Sequence, residues 1–273
     1  MTELRALDAG SALKSLLAPL STPSSTHLVL IPSYNPGPKV YETVRAARAQ
    51  WTPLWVVVDG STDGSAQRLG AIAAQDPGLR VVLLPRNRGK GAAVLHGARL
   101  AQQAGFTHIL TMDSDGQHPA DLIGTFMAAS IAAPTELILG EPRFDASAPA
   151  VRVQGRKISN WFSNLWTLWA GIHDSLFGFR VYPIEPLVRI MRHQPWMRRF
   201  DFDVEAAVRL CWLGLSPRNL PAPVRYFGPG EDGVSHFNYW RDNLLLTWMH
   251  ARLLCGFLLR LPWLLCRRWP TGR

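Results

Sequence analysis

Three oxygen-bearing side chains, Asp113, Asp115 and Gln117, lie at every second position of one short segment. In an extended segment alternate side chains point the same way, so all three face one side. Two carboxylates and an amide carbonyl suit a hard divalent cation, Mg²⁺ or Mn²⁺, which keeps open positions for substrate phosphates. The glycine and glutamate that an EF-hand calcium loop requires are missing from their positions. On these residues alone, a turn that begins at Asp115 is an equally good interpretation.

Two further segments place polar groups beside apolar runs. Asp59 follows the run 55–58, and its carboxylate suits hydrogen bonds from a nucleobase or a ribose, although a plain strand-to-helix turn is the alternative. Lys90 lies in the segment 87–93, where two cations and two glycines precede a helix-like stretch. Free backbone N–H groups at such a helix start favour phosphate. The spacing matches neither the P-loop nor the dinucleotide fingerprint, and a solvated basic turn explains the segment as well.

Short apolar runs alternate with helix-like stretches and position these residues. The runs predict strands over 28–31, 54–58, 81–84, 108–112 and 136–139, and the stretches predict helices over 39–50, 92–104 and 120–132. Such alternation is typical of an α/β protein with a mostly parallel sheet flanked by helices. Ligands bind beyond the carboxyl ends of parallel strands. We therefore expect the polar residues to converge on one crevice.

The pattern changes after about residue 142. The aromatic and leucine side chains between 161 and 169 have the spacing of one apolar helix face. A helix over 203–213 and a strand over 224–227 follow, and a tail rich in leucine, tryptophan and arginine begins after residue 238. Residues 1–26 form a lead-in segment that ends in a polar, turn-rich run.

Composition narrows the class of protein. With 47% apolar and 18% charged residues among 273, the chain is neither disordered nor a small disulfide scaffold. A net charge of +9 predicts an anionic partner. The candidate partners are nucleic acid, anionic lipid and sugar nucleotides. The three cysteines lack metal-ligand spacing and predict buried thiols in a reducing compartment. The N-terminal stretch is unlike a secretory signal, so we expect a cytosolic location or the cytosolic face of a membrane.

Four segments, in their order along the chain, resemble family 2 glycosyltransferases, and the dolichyl-phosphate mannose synthase-like branch most of all. They are residues 31–35, 56–64, 87–91 and 112–119, and residues 174–180 and 202–205 extend the likeness over roughly 27–236. The resemblance implies a GT-A fold with a nucleotide-sugar-binding half, 27–142, and an acceptor-binding half, 143–238. It implies transfer of a sugar from a UDP- or GDP-linked donor to a polyprenyl-phosphate or related lipid-linked acceptor.

The resemblance also implies roles for single residues. Asp113 and Asp115 hold the Mg²⁺ or Mn²⁺, with help from Gln117. The residues expected to contact the donor are Pro32, Tyr34, Asn35, Asp59, Lys90 and Ser114. Arg180, with Arg152 or Arg156, is expected to hold an acceptor phosphate. The loop 233–236 closes over the donor phosphates, or Ser235 caps a helix instead.

The chemistry depends on the acceptor. Departure of a nucleoside diphosphate develops negative charge, which a divalent ion and Arg or Lys stabilise, and one displacement inverts the anomeric carbon. A polyprenyl phosphate is already an anion and needs no strong base. A saccharide or glycolipid hydroxyl needs a carboxylate base, for which Asp203 and Glu205 are the candidates, unless they lie on a solvated helix face. A catalytically silent binding module is a further alternative. We expect no nucleic-acid partner, and a homo-oligomer stays open.

The tail, 239–273, predicts an amphipathic helix that lies on an anionic membrane surface. Arg252 and Arg260 interrupt its leucines and Pro262 bends it, which disfavours a transmembrane span. We expect Trp248, Phe257 and Trp263 among the headgroups, with Arg267 and Arg268 on anionic lipid. The alternative is a helix buried against the domain or a partner subunit. The expected location is peripheral, on the cytoplasmic face of the membrane.

Overall fold

Seven strands form one mixed sheet in the computed structural model, which describes residues 23–144, 150–224 and 239–266. The strands are β1 (His27–Ser33), β2 (Leu54–Asp59), β3 (Leu79–Leu84), β4 (His108–Thr111), β5 (Leu137–Arg143), β6 (Arg180–Pro183) and β7 (Pro217–Pro223). Their order is β3-β2-β1-β4-β6-β5-β7. Only β6 runs antiparallel to its neighbours, β4 and β5. The expected α/β class with a mostly parallel sheet is confirmed.

Helices cover both faces of the sheet. Within the described ranges they are α1 (Lys39–Gln50), α2 (Ser65–Ala73), α3 (Lys90–Gln103), α4 (Ile123–Ala132), α5 (Ala150–Trp166), α6 (Ile184–His193), α7 (Phe202–Leu213) and α8 (Tyr239–Cys266). The core of one face includes residues of α1, α2 and α4, and the core of the other includes α3 and α5 to α8. In β1, Leu28 and Leu30 belong to one core and Val29 and Ile31 to the other. A central strand covered on both faces is apolar throughout for this reason.

Three elements differ from the sequence prediction. The strand β6 and the helix α6 were not predicted, because β6 has only four residues and passes directly into the helix. The last strand is Pro217–Pro223 rather than 224–227, and residues 225–227 lie outside the described ranges. Three prolines in seven residues hide this strand, and they are tolerated because β7 is at the sheet edge.

The predicted apolar face over 161–169 is wrong in part. The helix α5 ends at Trp166, and Leu168 and Trp169 follow it with φ of 51° and 59°. Trp161 and Trp169 are 53% and 59% exposed, whereas Trp166 is buried. The expectation of three buried thiols is also corrected, because Cys211 is buried but Cys255 and Cys266 are exposed on α8.

The tail helix α8 is a single 28-residue helix that continues through Pro262. Its buried apolar side chains are Met249, Leu253, Phe257 and Leu264, and they pack with those of α5 and α7. Opposite them lies an exposed strip made of Leu244, Trp248, Leu254, Leu258, Leu259, Trp263 and Leu265. The expectation that Phe257 faces lipid is therefore wrong. By length and composition alone, the stretch Asp242–Cys266 is apolar enough to cross a membrane, with a mean hydropathy of 1.4 in its most apolar window.

Some predictions fall outside the described part of the chain. These are the lead-in up to residue 22, the Ser235 loop, the side chain of Arg152 and the pair Arg267 and Arg268. The division into a donor half and an acceptor half stays a prediction, since one sheet contains strands from both.

Candidate active site

The acidic segment begins directly after β4, an inner strand of the sheet. Asp113 donates its backbone N–H to His118 Nδ1 over 2.9 Å, so the ring nitrogen Nδ1 accepts and the ring proton is assigned to Nε2. That nitrogen lies 3.6 Å from Asp113 Oδ2. The ring of His118 packs edge-on against Phe177 and Phe179, which fixes its plane. His118 therefore orients the first aspartate of the pair.

Asp115 and Gln117 form the turn that follows. Asp115 Oδ1 accepts the backbone N–H of Gln117 at 3.0 Å, the arrangement of an Asx turn. Burial raises the pKa of Asp115, and the charge of Asp113 raises it further. For Asp113, burial also opposes the charged form, but Lys90 and His118 outweigh it and hold the pKa below its ordinary value. Within the pair, the neighbouring charges favour the ionised form of Asp113, whereas the surroundings of Asp115 disfavour its ionised form.

Lys90, the first residue of α3, supplies that balance. Its Nζ lies 2.7 Å from Asp113 Oδ1 and 2.7 Å from Asp203 Oδ2. Burial opposes the lysine charge, yet the two carboxylates raise its pKa above the ordinary value. A contact between Lys90 and a donor phosphate stays a prediction, and in the structure its ammonium is paired with two carboxylates. Gly178 makes room for it, since a Cβ there would lie 2.5 Å from the Lys90 nitrogen.

Asp59 fixes the loop that directly precedes Lys90. Its two carboxylate oxygens accept the backbone N–H groups of Arg88 and Gly89 at 2.7–3.0 Å. The residue is 2% exposed, and burial raises its pKa although the backbone N–H groups oppose the shift. The expected contact with a base or ribose stays a prediction, and the contacts that the structure gives Asp59 are these two backbone N–H groups.

The loop after β1 reaches the same edge of the sheet. Asn35, with φ of 41°, donates its N–H to Ser61 Oγ at 3.0 Å, and its Oδ1 accepts the N–H of Thr62 at 2.7 Å. Pro32 is buried, and Tyr34 and Ser114 are half-buried. The structure thus brings these loops together. Their contacts with a donor stay predictions.

Arg180 is enclosed by oxygen atoms of the protein. It is 0% exposed, and its guanidinium donates to the carbonyl oxygens of Phe177, Asp203 and Asp174 and to the Tyr182 hydroxyl. The expected phosphate contact is corrected, because these oxygens already surround the buried cation. Arg180 instead fixes the segment before β6.

Glu205 is corrected in the same way. It is 0% exposed, and its carboxylate is paired with Arg209 and Arg252. A carboxylate held by two arginines does not take a proton from a substrate. Arg156 is the accessible cation of the expected acceptor set, at 20% side-chain exposure, and it pairs with Asp174 at 2.7 Å.

Sequence reasoning missed two residues of the site. His118 was quoted with its motif but given no role, and its signal is a position five residues after Asp113. Gly178 gave no signal of its own, because only its closeness to Lys90 and Asp113 makes it matter. Among the residues that the structure describes, no three His, Cys, Asp or Glu side chains converge as a complete metal site.

Comparison with known proteins shows which family the chain belongs to. The family model "Glycosyl transferase family 2" matches residues 28–190, more than half of the chain. The chain belongs to glycosyltransferase family 2. It is therefore a glycosyltransferase, and the expected branch is confirmed by relatives that are polyprenyl-phosphate mannosyltransferases.

Two such relatives align with most of this family 2 chain. The undecaprenyl-phosphate mannosyltransferase of Micrococcus luteus is 26% identical over 243 residues, covering 84% of this chain and 98% of the relative. The polyprenol monophosphomannose synthase of Mycolicibacterium smegmatis is 29% identical over 221 residues, covering 78% and 81%.

A solved structure confirms the GT-A fold of this family 2 chain. Glucosyl-3-phosphoglycerate synthase from Mycobacterium tuberculosis, in complex with Mn²⁺, UDP-glucose and phosphoglyceric acid, superposes with a TM-score of 0.57 at 20% identity. The superposition covers 87% of this chain and 80% of that one.

Proposed function

We propose that the chain is a metal-dependent, inverting glycosyltransferase that moves a sugar from a nucleotide donor to a polyprenyl phosphate at a membrane surface. The observation that carries this proposal is the cluster of Asp113, Asp115 and Lys90 at the carboxyl end of β4. The mannosyltransferase relatives supply the acceptor class and favour a mannosyl donor.

The donor set fits a divalent cation. Asp113 is one-third exposed and reachable, and burial together with the charge of Asp113 raises the pKa of Asp115, so a bound cation would favour the charged form of the pair. Two carboxylates with open positions are the set that Mg²⁺ and Mn²⁺ use when phosphates complete the coordination. Asp113 and Asp115 would hold the ion, and Gln117 lies next to them. When bound, the ion would neutralise charge on the departing diphosphate.

The chain's own residues define the rest of the mechanism. Lys90 and His118 orient Asp113, and Asp59 fixes the loop that carries Lys90. Because these groups are held before substrate arrives, little reorganisation is needed when charge develops. The acceptor oxygen attacks the anomeric carbon from the side opposite the diphosphate, which inverts its configuration.

The arrangement favours a phosphate acceptor over a hydroxyl acceptor. Glu205 is enclosed by two arginines, and Asp203 is bonded to Lys90. Neither carboxylate is placed to take a proton from a hydroxyl. A polyprenyl phosphate needs no such base, since it is already an anion near neutral pH. Arg156 is our candidate for its phosphate contact, because part of its side chain is accessible.

A transfer assay tests this function. Labelled GDP-mannose, GDP-glucose, UDP-glucose or UDP-GlcNAc is supplied with undecaprenyl phosphate in vesicles, with Mg²⁺, Mn²⁺ or EDTA. We expect labelled lipid with one donor, loss of the product with EDTA, and loss in Asp113→Asn and Asp115→Asn. Asp121→Asn is the matched control, an exposed acid just beyond the segment that keeps full activity. Transfer that persists in EDTA or in both site variants contradicts the proposal.

The exposed strip of α8 supports a peripheral position on the membrane. At about 100° per residue, the leucines of the strip and Trp248 lie more than 90° from the centre of the buried face, and Trp263 lies at its margin. One side of α8 thus stays on the domain while the other is free to enter the headgroup region. The buried face extends from Met249 to Leu264, which holds α8 along the domain. We place this surface on the cytoplasmic leaflet, where anionic lipids attract a chain of +9 charge.

Vesicle sedimentation tests the membrane surface. Leu259→Glu, which changes the most exposed residue of the strip at 83% exposure, should lower binding to phosphatidylglycerol vesicles. Leu83→Glu is the matched control, because Leu83 is 62% exposed on the edge strand β3, whereas α8 packs on α5 and α7. Equal binding by the two variants contradicts the assignment.

A further inference from the structure

The tail helix α8 joins the rest of the chain through buried charges as well as apolar packing. Arg252 Nη2 lies 2.5 Å from Glu205 Oε2 and 3.3 Å from Asp201 Oδ2. The three side chains are 10%, 0% and 2% exposed. Burying such charges is unfavourable unless they are paired. Arg252 is therefore held inside the protein by two carboxylates.

Glu205 is shared between its own helix and the tail. Its Oε1 accepts from Arg209 Nε at 2.8 Å, one turn further along α7, and its Oε2 accepts from Arg252 of α8. The second acid, Asp201, lies just before the first residue of α7 and also contacts Arg252. Arg252 thus bridges two positions on one side of the first turn of α7.

Asp203 lies between these acids in sequence and points away from them. At about 100° per residue it is about 200° around the helix from both. Its Oδ2 bonds to Lys90 Nζ at 2.7 Å, while its buried Oδ1 has no hydrogen-bond partner among the described residues. One contact therefore holds this carboxylate, and a small movement of the first turn would break it.

The same region is tied to the start of α3. The backbone N–H of Ala92 donates to the carbonyl oxygen of Arg198 at 3.1 Å, and Gly89 and Gly91 approach residues 197–199 so closely that a Cβ would collide. The segment that leads into α7 is therefore held between the lysine-bearing helix α3 on one side and the tail helix on the other.

We propose that Arg252 is a positioning residue for the active site. By pairing with Asp201 and Glu205 it fixes the first turn of α7, and so keeps Asp203 on Lys90. While Asp113 and Asp203 share the Lys90 ammonium, that ammonium only partly neutralises the charge of Asp113. When the turn shifts, Lys90 pairs with Asp113 alone and competes with a cation for that carboxylate. Docking of the tail helix thus raises the cation affinity of the acidic pair, an inference that rests on the proposed function.

Cation binding by the full chain tests this role. Mn²⁺ alone is titrated and followed by EPR in the wild type, Arg252→Met and Arg260→Met. Arg260 is the matched control, because it is on the same helix and stacks on Trp212 at 4.9 Å without reaching either acid. We expect Arg252→Met to bind Mn²⁺ about 10-fold more weakly, the size of a lost outer contact at a metal site. The control keeps the wild-type affinity.

The Asp203→Asn background separates positioning from general destabilisation. There Arg252→Met should cause no further loss, because the contact through which it acts is already weakened. A loss of the same size in both backgrounds, or no loss in the wild-type background, overturns the proposal. Arg252→Lys retains the charge but lacks the planar guanidinium that reaches both carboxylates. Its loss of Mn²⁺ affinity should therefore be smaller than that of Arg252→Met.

Hydrogen exchange gives an answer that needs no metal. In Arg252→Met the amides of Glu205, bonded to Asp201, and of Ala92, bonded to Arg198, should exchange faster, while those of α4 keep their protection. Unchanged exchange at both amides, or faster exchange in α4 as well, overturns the proposal. A wild-type chain that binds no Mn²⁺ counts against the proposed function, and the exchange result then decides on Arg252 by itself.

Discussion

Replacing Lys90 by methionine removes the only cation between two carboxylates in the described part of the site. Methionine keeps the length of the side chain but leaves Asp113 and Asp203 facing each other. Removing one partner of a buried ion pair destabilises a fold by about 3–5 kcal/mol, because the remaining charge stays buried. Asp203 is 6% exposed but Asp113 is 33% exposed and remains hydrated. We therefore expect the lower end, about 3 kcal/mol.

Urea denaturation at neutral pH measures this loss, and thermal unfolding should show it as a decrease of about 6–12 °C for a chain of this size. Asp203→Asn should destabilise by only about 1 kcal/mol, since Lys90 keeps Asp113 as its partner. The double variant Lys90→Met with Asp203→Asn should be more stable than Lys90→Met, because the lone buried carboxylate is gone.

The matched control is Lys157→Met, an exposed lysine on α5 whose replacement should change stability by no more than about 0.5 kcal/mol. If Lys90→Met is as stable as this control, the two carboxylates do not depend on the ammonium. The pairing of Lys90 with Asp113 and Asp203 would then not be what stabilises the site, which refutes the reasoning.

Three shorter predictions follow from other contacts. Gly178→Ala puts a Cβ 2.5 Å from Lys90 Nζ and should lower the transfer rate up to about 100-fold with an intact fold, whereas Gly124→Ala, which meets no atom within 4 Å, should not. Burial, with the charge of His108, lowers the pKa of His27 from 6.5 to about 4, so the unfolded chain binds a proton at a higher pH than the folded one. Stability should then fall by up to about 3 kcal/mol as the pH drops from 6.5 to 4, as followed by urea denaturation, and His27→Gln should flatten that slope. Arg180→Met should lower the free energy of unfolding by about 3 kcal/mol, because four buried oxygens lose their donor. If Arg180→Met is stable but has a raised KM for the acceptor, the result would support the expected contact between Arg180 and the acceptor phosphate.

The sequence by itself determined the class of fold and the location of the acidic pair. Apolar runs of four or five residues alternating with helix-like stretches specify a parallel sheet, and polar residues at the run ends mark the edge where ligands bind. These signals are local in the sequence, so they can be recognised without knowing which helices and strands pack together. The same local reading missed β6, which is too short, and misplaced β7, whose prolines are explained only by its position at the sheet edge.

The tertiary structure alone decided what each charged side chain contacts. Lys90 and Asp203 are 113 residues apart, and Arg252 and Glu205 are 47 apart, so no spacing rule connects them. A charge near a predicted site is read from sequence as available to a ligand. Once the chain folds, burial makes an unpaired charge unfavourable, and each such group takes the nearest partner that the packing of helices on the sheet provides. For this reason Lys90, Arg180 and Glu205 have structural partners. Asp113 and Asp115 follow β4 as the sequence predicted, but only the folded structure pairs Asp113 with Lys90.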